Sequence, residues 1–254
     1  MKKKDIFIGR QPAIEVLRSD KAVEKIWLQK GASGPEIDEI KRLAAERRIA
    51  TQTVPKDKIA YMLFPVYQHQ RPNHQGVVGV YGEVQYFKLE DIFDQVLSRG
   101  ELALFLVLDG VTDVRNFGAI ARTAEAMGVH AIVVQEKGVA QINSEAVKAS
   151  AGAIHNLPIC REKNLRDIYK YFALNGVQVV ASSLDTEITI DEIDFTLPTA
   201  IVMGSEGKGI SIMSKDYSNK QFIIPMQGNI NSLNVSVSAG MILYEVSKQR
   251  RVGA

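Results

Sequence analysis

Leu104-Phe105-Leu106-Val107-Leu108-Asp109-Gly110-Val111-Thr112-Asp113-Val114-Arg115-Asn116-Phe117-Gly118-Ala119-Ile120-Ala121-Arg122-Thr123-Ala124-Glu125 is the stretch that decides the fold. An unbroken apolar run from Leu104 to Leu108 describes a strand buried on both faces, as in parallel sheets covered by helices. It ends at Asp109, a polar turn follows, and Asn116 stands where a helix N-cap belongs. Downstream the pattern continues with apolar strands at Ala131–Gln135, Val177–Ala181, Ala200–Met203 and Phe222–Pro225, and with a C-terminal helix. Strands alternating with helices predict an α/β domain with a mainly parallel sheet. Such sheets bind ligands in the crevice at their strand C-termini, so the residues after Asp109 are the first candidates.

Upstream, residues 83–100 hold an amphipathic helix (Leu89, Ile92, Phe93, Val96, Leu97) that ends near Gly100. We expect it to link a first domain at 1–82 to a second at 101–254. Within the first, Val23–Leu28 alternates like a strand, Pro35–Arg48 carries Ile37, Ile40, Leu43 and Ala44 at helical spacing, and Thr51–Val54 and Gly76–Tyr81 are short strands. The polar stretch Tyr67–Gln75 is either an exposed recognition loop or an ordered connector.

Composition removes several classes. The chain has 254 residues, 46% hydrophobic and 24% charged, which is neither disordered nor low-complexity. Cys160 is the sole cysteine and the four histidines lack ligand spacing, so neither a disulfide framework nor a structural metal is expected. The basic start Met1–Gly9 has no apolar run of signal-peptide length, and no stretch approaches the roughly 20 apolar residues of a membrane span, so a soluble, cytoplasmic protein is expected. A net charge of +2 hides an asymmetry: residues 1–82 carry 15 Lys/Arg against 9 Asp/Glu, and residues 83–254 carry 16 against 20. The basic module is either suited to a polyanion or simply a solvated charged surface.

Two further segments are unusual for mere packing. Ile201-Val202-Met203-Gly204-Ser205-Glu206-Gly207-Lys208-Gly209-Ile210 runs from a strand into a glycine-rich turn, which lets backbone N–H groups approach a ligand closely but misses the Walker spacing. Ile224-Pro225-Met226-Gln227-Gly228-Asn229-Ile230-Asn231-Ser232-Leu233-Asn234-Val235-Ser236-Val237-Ser238-Ala239-Gly240 alternates at first like a strand, yet its continuation favours a helix capped by Ser232 or Asn231. Each segment has a plain structural reading. Asn116 would be a cap with Arg122 paired to Glu125, Gly204–Gly209 an ordinary turn with Glu206 solvated, and the third segment a helix-packing surface.

In this order and at these separations the three segments resemble the signature motifs of the SpoU/TrmH class of RNA ribose 2′-O-methyltransferases, within the SPOUT superfamily. Lys148–Ala153 and Gly128–Ala131 are similar to that class too. Gly9–Leu17 and His74–Val78 resemble its N-terminal ribosomal-protein-like RNA-binding domain. The resemblance covers nearly the whole chain, and within the family the combination is most similar to the bacterial branch that methylates a guanosine ribose in 23S ribosomal RNA. One departure is Val114-Arg115, where the family usually has Pro and His.

The resemblance implies S-adenosylmethionine as cofactor, held in a trefoil knot by backbone at Gly204, Ile224, Met226 and Leu233, and it implies a homodimer. It implies a reacting group of Asn116, Arg122, Glu206, Ser232 and Asn234. The ribose 2′-hydroxyl must lose a proton, yet no histidine lies in the three segments. The family's proposed base, Arg122, does not deprotonate in proteins. Arg122 would instead clamp the adjacent phosphate, with that phosphate or Glu206 taking the proton and Asn116, Asn234 and Ser232 assisting. A tRNA substrate and a non-catalytic RNA-binding protein are the other readings.

Overall fold

The computed structural model describes residues 5–68, 72–136, 138, 140, 142–228 and 232–252. The chain divides into two compact units, Met1–Tyr86 and Phe87–Ala254.

The first unit runs β1 (Ile6–Ile8), α1 (Arg10–Arg18), β2 (Val23–Gln29), α2 (Pro35–Glu46), β3 (Ala50–Val54), α3 (Lys56–Tyr67) and β4 (Val77–Tyr81). Its sheet has the order β1-β4-β2-β3, with β4 antiparallel to both neighbours and β3 parallel to β2. The alternation in β2 buries Val23, Ile26 and Leu28 against Ile14 and Leu17 of α1 and Ile37 and Ile40 of α2. On the sheet's other face, Val54 and Val78 meet Ile59 and Leu63 of α3. The far edge of the Phe7 ring occupies the space beside Gly79 of β4; a Cβ there would stand 2.0 Å from it.

Helix α3 has no counterpart in the sequence reading. It buries Ile59 and Leu63, carries Pro65 in its last turn, and leaves Tyr61 and Phe64 exposed. Those exposed aromatics blur the apolar period that marks an amphipathic helix. Residues 69–71 of the polar stretch lie outside the described residues.

The chain passes from the first unit to the second within β5 (Tyr86–Phe87), and α4 (Leu89–Ser98) follows. Helix α4 is the segment expected as a linker, and the structure corrects that reading: Leu89, Ile92, Phe93 and Val96 pack into the second unit's core beside Phe105, Val133 and Phe172. An amphipathic helix is apolar on the face it buries, and here that face covers a sheet of its own unit. The chain continues through β6 (Leu104–Asp109), α5 (Val114–Ala126), β7 (Ala131–Gln135), α6 (Ser144–Ala149), β8 (Ile159–Glu162), α7 (Leu165–Leu174), β9 (Gln178–Ser182), β10 (Thr199–Gly204), α8 (Ile212–Tyr217), β11 (Lys220–Phe222) and α9 (Val235–Val252). The sheet order is β11-β9-β10-β6-β7-β8-β5, with β6 through β11 paired in parallel.

The expected α/β class with a mainly parallel sheet is found. Of the strand expected at Phe222–Pro225, Phe222 belongs to β11 and Ile223 makes a single bridge to Thr189. The sheet order places the site. From β6 the chain moves outward one way through β7 and β8, then returns on the other side so that β10 lies against β6. Loops leaving the C-terminal ends of β6 and β10 therefore diverge from a shared crevice, where Asp109 and Gly204 are opposite each other in register. No helix among the described residues is long and apolar enough to cross a membrane.

Candidate active site

Three segments distant in sequence meet at this crevice. In the first, Asp113 rather than Asn116 caps α5: its Oδ1 accepts the Asn116 backbone N–H at 2.8 Å. This corrects the sequence reading and releases the Asn116 side chain, which sits in the first helical turn. The third segment needs a similar correction. Helix α9 begins at Val235, and its cap is Asn234, not Ser232; Asn231 lies outside the described residues. The Asn234 Oδ1 accepts the Ser236 N–H at 2.9 Å, the Ser236 hydroxyl at 2.6 Å and the Val237 N–H at 3.4 Å. With its oxygen committed to the cap, Asn234 has its NH₂ group to offer elsewhere.

The second segment supplies the acceptor. After Gly204 the chain doubles back, Ser205 N–H donating to Gly209 O at 3.1 Å and Gly209 N–H to Ser205 O at 2.9 Å. A Cβ on Gly204 would lie 2.0 Å from the Gly209 carbonyl carbon, so only glycine allows this approach. Glu206 stands in the turn. Its Oε1 accepts the Asn234 Nδ2 at 2.6 Å and the Asn116 Nδ2 at 3.1 Å, and the Asn234 Nδ2 also reaches the Asn116 Oδ1 at 3.1 Å. Glu206 is exposed, as the plain reading had it, but it is hydrogen-bonded to two amides, and Asn116 is not the cap.

The glycine-rich turn is anchored by a residue that the sequence reading did not single out. Asp109 is 6% exposed, and its Oδ2 accepts the Ser211 N–H and the Ser214 hydroxyl, both at 2.6 Å. The Tyr169 hydroxyl joins Ser214 Oγ at 2.7 Å, and burial pushes that phenol's pKa up. Gly204 is the strand partner of the Asp109 backbone, and Ser211 and Ser214 bond to the Asp109 carboxylate, so one end of the turn bearing Glu206 is held by the sheet and the other by a buried carboxylate. The available signal was a lone acid closing an otherwise apolar strand, since buried charges are rare unless partnered.

Arg122 is placed differently. It lies six residues along α5 from Asn116, about 9 Å by helical rise, and is exposed. It has no hydrogen-bond or ion-pair partner among the described residues, so the alternative pairing with Glu125 is not formed. Arg115, at the family departure, pairs with Glu145 of α6 at 2.6 Å. Ser232 is exposed at the cavity described next.

A cavity of about 640 Å³ is lined by Gly204, Ile224, Met226 and Leu233, the four expected cofactor positions, together with Glu206, Ser232 and Asn234. Its size falls within the roughly 300–1,000 Å³ of small-molecule sites, and its walls combine apolar side chains such as Ile224 and Leu233 with the charged Asp185, Lys208 and Lys215. Gly204→Ala is expected to force the turn open, costing about 1–3 kcal/mol and loosening any ligand held there by at least about tenfold. Calorimetry with S-adenosylmethionine checks this, and unaltered affinity would show that the turn does not shape the cavity.

The comparisons with known proteins fit this geometry. Residues 103–244 match the model of the SpoU rRNA methylase family, and residues 6–87 match the model for RNA 2′-O ribose methyltransferase substrate binding. A Bacillus subtilis protein, YacO, named for the TrmH family of tRNA/rRNA methyltransferases, is 33% identical over 246 residues, 97% of this chain and 96% of that protein. Among solved structures, an AdoMet-bound rRNA methyltransferase from Sinorhizobium meliloti matches with TM-score 0.60 and 26% identity, over 96% of this chain and 87% of that one. A TrmH/SpoU tRNA modifying enzyme of A. aeolicus matches with TM-score 0.56 and 32% identity, over 64% of this chain and 86% of that one. With both family models satisfied and relatives aligned along nearly its full length, the chain belongs to the SpoU rRNA methylase family and is an RNA 2′-O-ribose methyltransferase.

Proposed function

We propose that this enzyme methylates the ribose 2′-hydroxyl of a guanosine in 23S ribosomal RNA, using S-adenosylmethionine held in the 640 Å³ cavity. The observation that carries the reading is the Asn116–Glu206–Asn234 cluster bordering that cavity. The cavity suits the cofactor: the tight Gly204–Gly209 turn shapes one wall, and Ile224 and Leu233 give apolar surface. The trefoil knot implied by the resemblance belongs to the same proposal.

S-Adenosylmethionine supplies a methyl group on a positively charged sulfur, an electrophile for in-line attack. The chain's own residues must place the 2′-oxygen and accept its proton. Both amides hold Glu206 through Oε1, whereas Oε2 has no partner among the described residues. Glu206 Oε2 is therefore the open acceptor for the 2′-hydroxyl proton. Glu206 Oε2 would take the 2′-hydroxyl proton as the oxygen is methylated. Asn116 and Asn234 keep the carboxylate oriented, and Ser232 adds a hydroxyl at the same cavity. Positioning the reactants can itself supply about 7–11 kcal/mol, so a weak base suffices. Arg122 keeps its charge and grips the phosphate beside the target ribose through two oxygens.

The basic surplus in residues 1–82 supports a large polyanionic substrate, and the match to an rRNA methyltransferase over 96% of the chain, against 64% for the tRNA modifying enzyme, supports ribosomal RNA. Methylation of total RNA with labelled cofactor, followed by sizing and mapping, tests this. Label in a guanosine ribose of 23S RNA is expected; label confined to tRNA overturns the substrate assignment.

We infer further that the chain works as a homodimer through α9. Of the apolar residues the sequence offers for this surface, Val235, Ile242 and Val246 are buried within the unit and Met241 is exposed, with Val237 and Tyr244 beside it on one face, 45%, 52% and 57% accessible. Sedimentation is expected to show a dimer at micromolar concentration and Met241→Asp to shift it to monomer. A fully active monomer in the unsubstituted protein would sink this reading.

A further inference from the structure

In the first unit, a cavity of about 1310 Å³ opens between α3 and the turn that leads into β4. That exceeds the roughly 300–1,000 Å³ typical of small-molecule sites and suits an extended polymer. Tyr61 and Phe64, 81% and 60% exposed, line one wall three residues apart on α3, hence on one face. Neither ring has an aromatic partner among the described residues.

The facing wall is built so that hydrogen-bond acceptors are used up and donors are left. Gln75 Oε1 accepts the Arg10 backbone N–H at 3.1 Å, Asn73 Oδ1 accepts the Gln75 N–H at 3.3 Å, and His74 Nδ1 accepts the Gly76 N–H at 3.0 Å. Those bonds leave the amide NH₂ groups of Asn73 and Gln75, and the Nε2–H of a neutral His74, without partners among the described residues. Burial, and then the nearby Lys56 charge, hold the His74 pKa below its usual value, which favours that neutral form. Gln75 is itself in the left-handed region at φ +49°, held there by its bonds to Arg10.

Charge distinguishes this cavity from a phosphate track. Arg10 is paired with Glu36 at 3.1 Å, and Lys56 stands beside Asp57, so the lining is close to neutral within a unit that is basic as a whole. Two free ring faces opposite a row of N–H donors complement a nucleobase, which has a π-face and an edge of carbonyl and ring-nitrogen acceptors. Only unpaired nucleotides expose both, because a duplex covers the faces and occupies the edges.

We propose that this cavity holds unpaired nucleotides of the RNA substrate, their faces against Tyr61 and Phe64 and their acceptor edges on Asn73, His74 and Gln75. The proposal rests on the RNA methyltransferase reading and adds how the first unit recognises its substrate: by splayed bases in a loop or bulge, with phosphate contacts made elsewhere.

The test uses the full chain, a labelled RNA hairpin carrying 2-aminopurine in a seven-nucleotide loop, and a fully paired duplex of equal length. The unsubstituted protein is expected to prefer the hairpin and to quench the 2-aminopurine by stacking. Tyr61→Ala with Phe64→Ala is expected to weaken hairpin binding about tenfold or more per ring, to restore the emission, and to leave duplex binding unchanged. The dependence of affinity on salt should keep its slope, since no phosphate contact is removed. Both residues are exposed, so circular dichroism should be unaltered. Unchanged hairpin affinity, equal losses for hairpin and duplex, or a shallower salt slope would each overturn the base-holding role while leaving RNA binding intact. Failure of the unsubstituted protein to bind either RNA would overturn the RNA reading itself.

Discussion

Arg122→Ala is expected to lower methyl transfer by roughly 10²–10³-fold, the usual loss when one group stabilising transition-state charge is removed, while S-adenosylmethionine binds almost normally. Two observations on α5 motivate this. Arg122 is exposed and has no partner among the described residues, so its charge is available for RNA rather than committed to the fold. It also does not line the cofactor cavity, whereas Glu206, Ser232 and Asn234 do. Removing it should therefore leave the cavity intact and spoil the placement of the ribose through the neighbouring phosphate. Arg122→Lys should fail as well, because a point charge on a flexible stem does not reproduce a planar fork that grips two oxygens. Were Arg122 only a solvated surface residue, both variants would retain turnover and lose no stability. Near-wild-type turnover of the alanine variant, with folding confirmed by circular dichroism, would remove Arg122 from the proposed site.

Glu206→Gln should be the other severe lesion. A glutamine can direct its oxygen to the Asn116 and Asn234 amides, which now meet Glu206 Oε1 at 3.1 and 2.6 Å, and place its NH₂ group where Oε2 stands. The cluster's hydrogen bonds are then preserved and only the proton acceptor is lost. General-base catalysis contributes about 10²–10⁴-fold, so single-turnover methyl transfer should fall by that amount while the melting temperature and cofactor affinity hold. Glu206→Asp keeps the carboxylate but shortens it by one methylene and should retain part of the activity. A glutamine variant within threefold of wild type would pass the role of proton acceptor to the RNA phosphate.

Asp109 offers a way to separate placement from chemistry. Its carboxylate holds the Ser211 end of the turn that bears Glu206, so its influence on methyl transfer should run through that residue. This dependence is legible only in three dimensions, and it shows where the sequence stopped being informative.

The sequence by itself determined the layers. The apolar runs at Leu104–Asp109 and Ala131–Gln135 are strands over those same residues, and Pro35 opens α2, because burial on both faces and a proline at the first helical position are local signals. It also placed the three segments that meet at the site, through their turns and small residues. Tertiary structure decided the rest. Helix α4 reads as a detached amphipathic segment until the sheet that it covers is present. Asp113, Asn116, Asn231, Ser232 and Asn234 are all chemically able to cap a helix, and propensity does not rank them. Once α5 and α9 pack against each other, Asp113 and Asn234 become the caps, and the amides of Asn116 and Asn234 turn toward Glu206. Asn116 and Asn234 are 118 positions apart, and Asp109 and Ser214 are 105 apart. Periodicity reports which face of an element is apolar; it carries no information on which polar groups from different elements will satisfy one another. The Asp109 pairing is fixed only when β10 inserts beside β6 and burial makes an unpartnered carboxylate costly, and the amides of Asn116 and Asn234 meet Glu206 only because the same folding brings their three elements together.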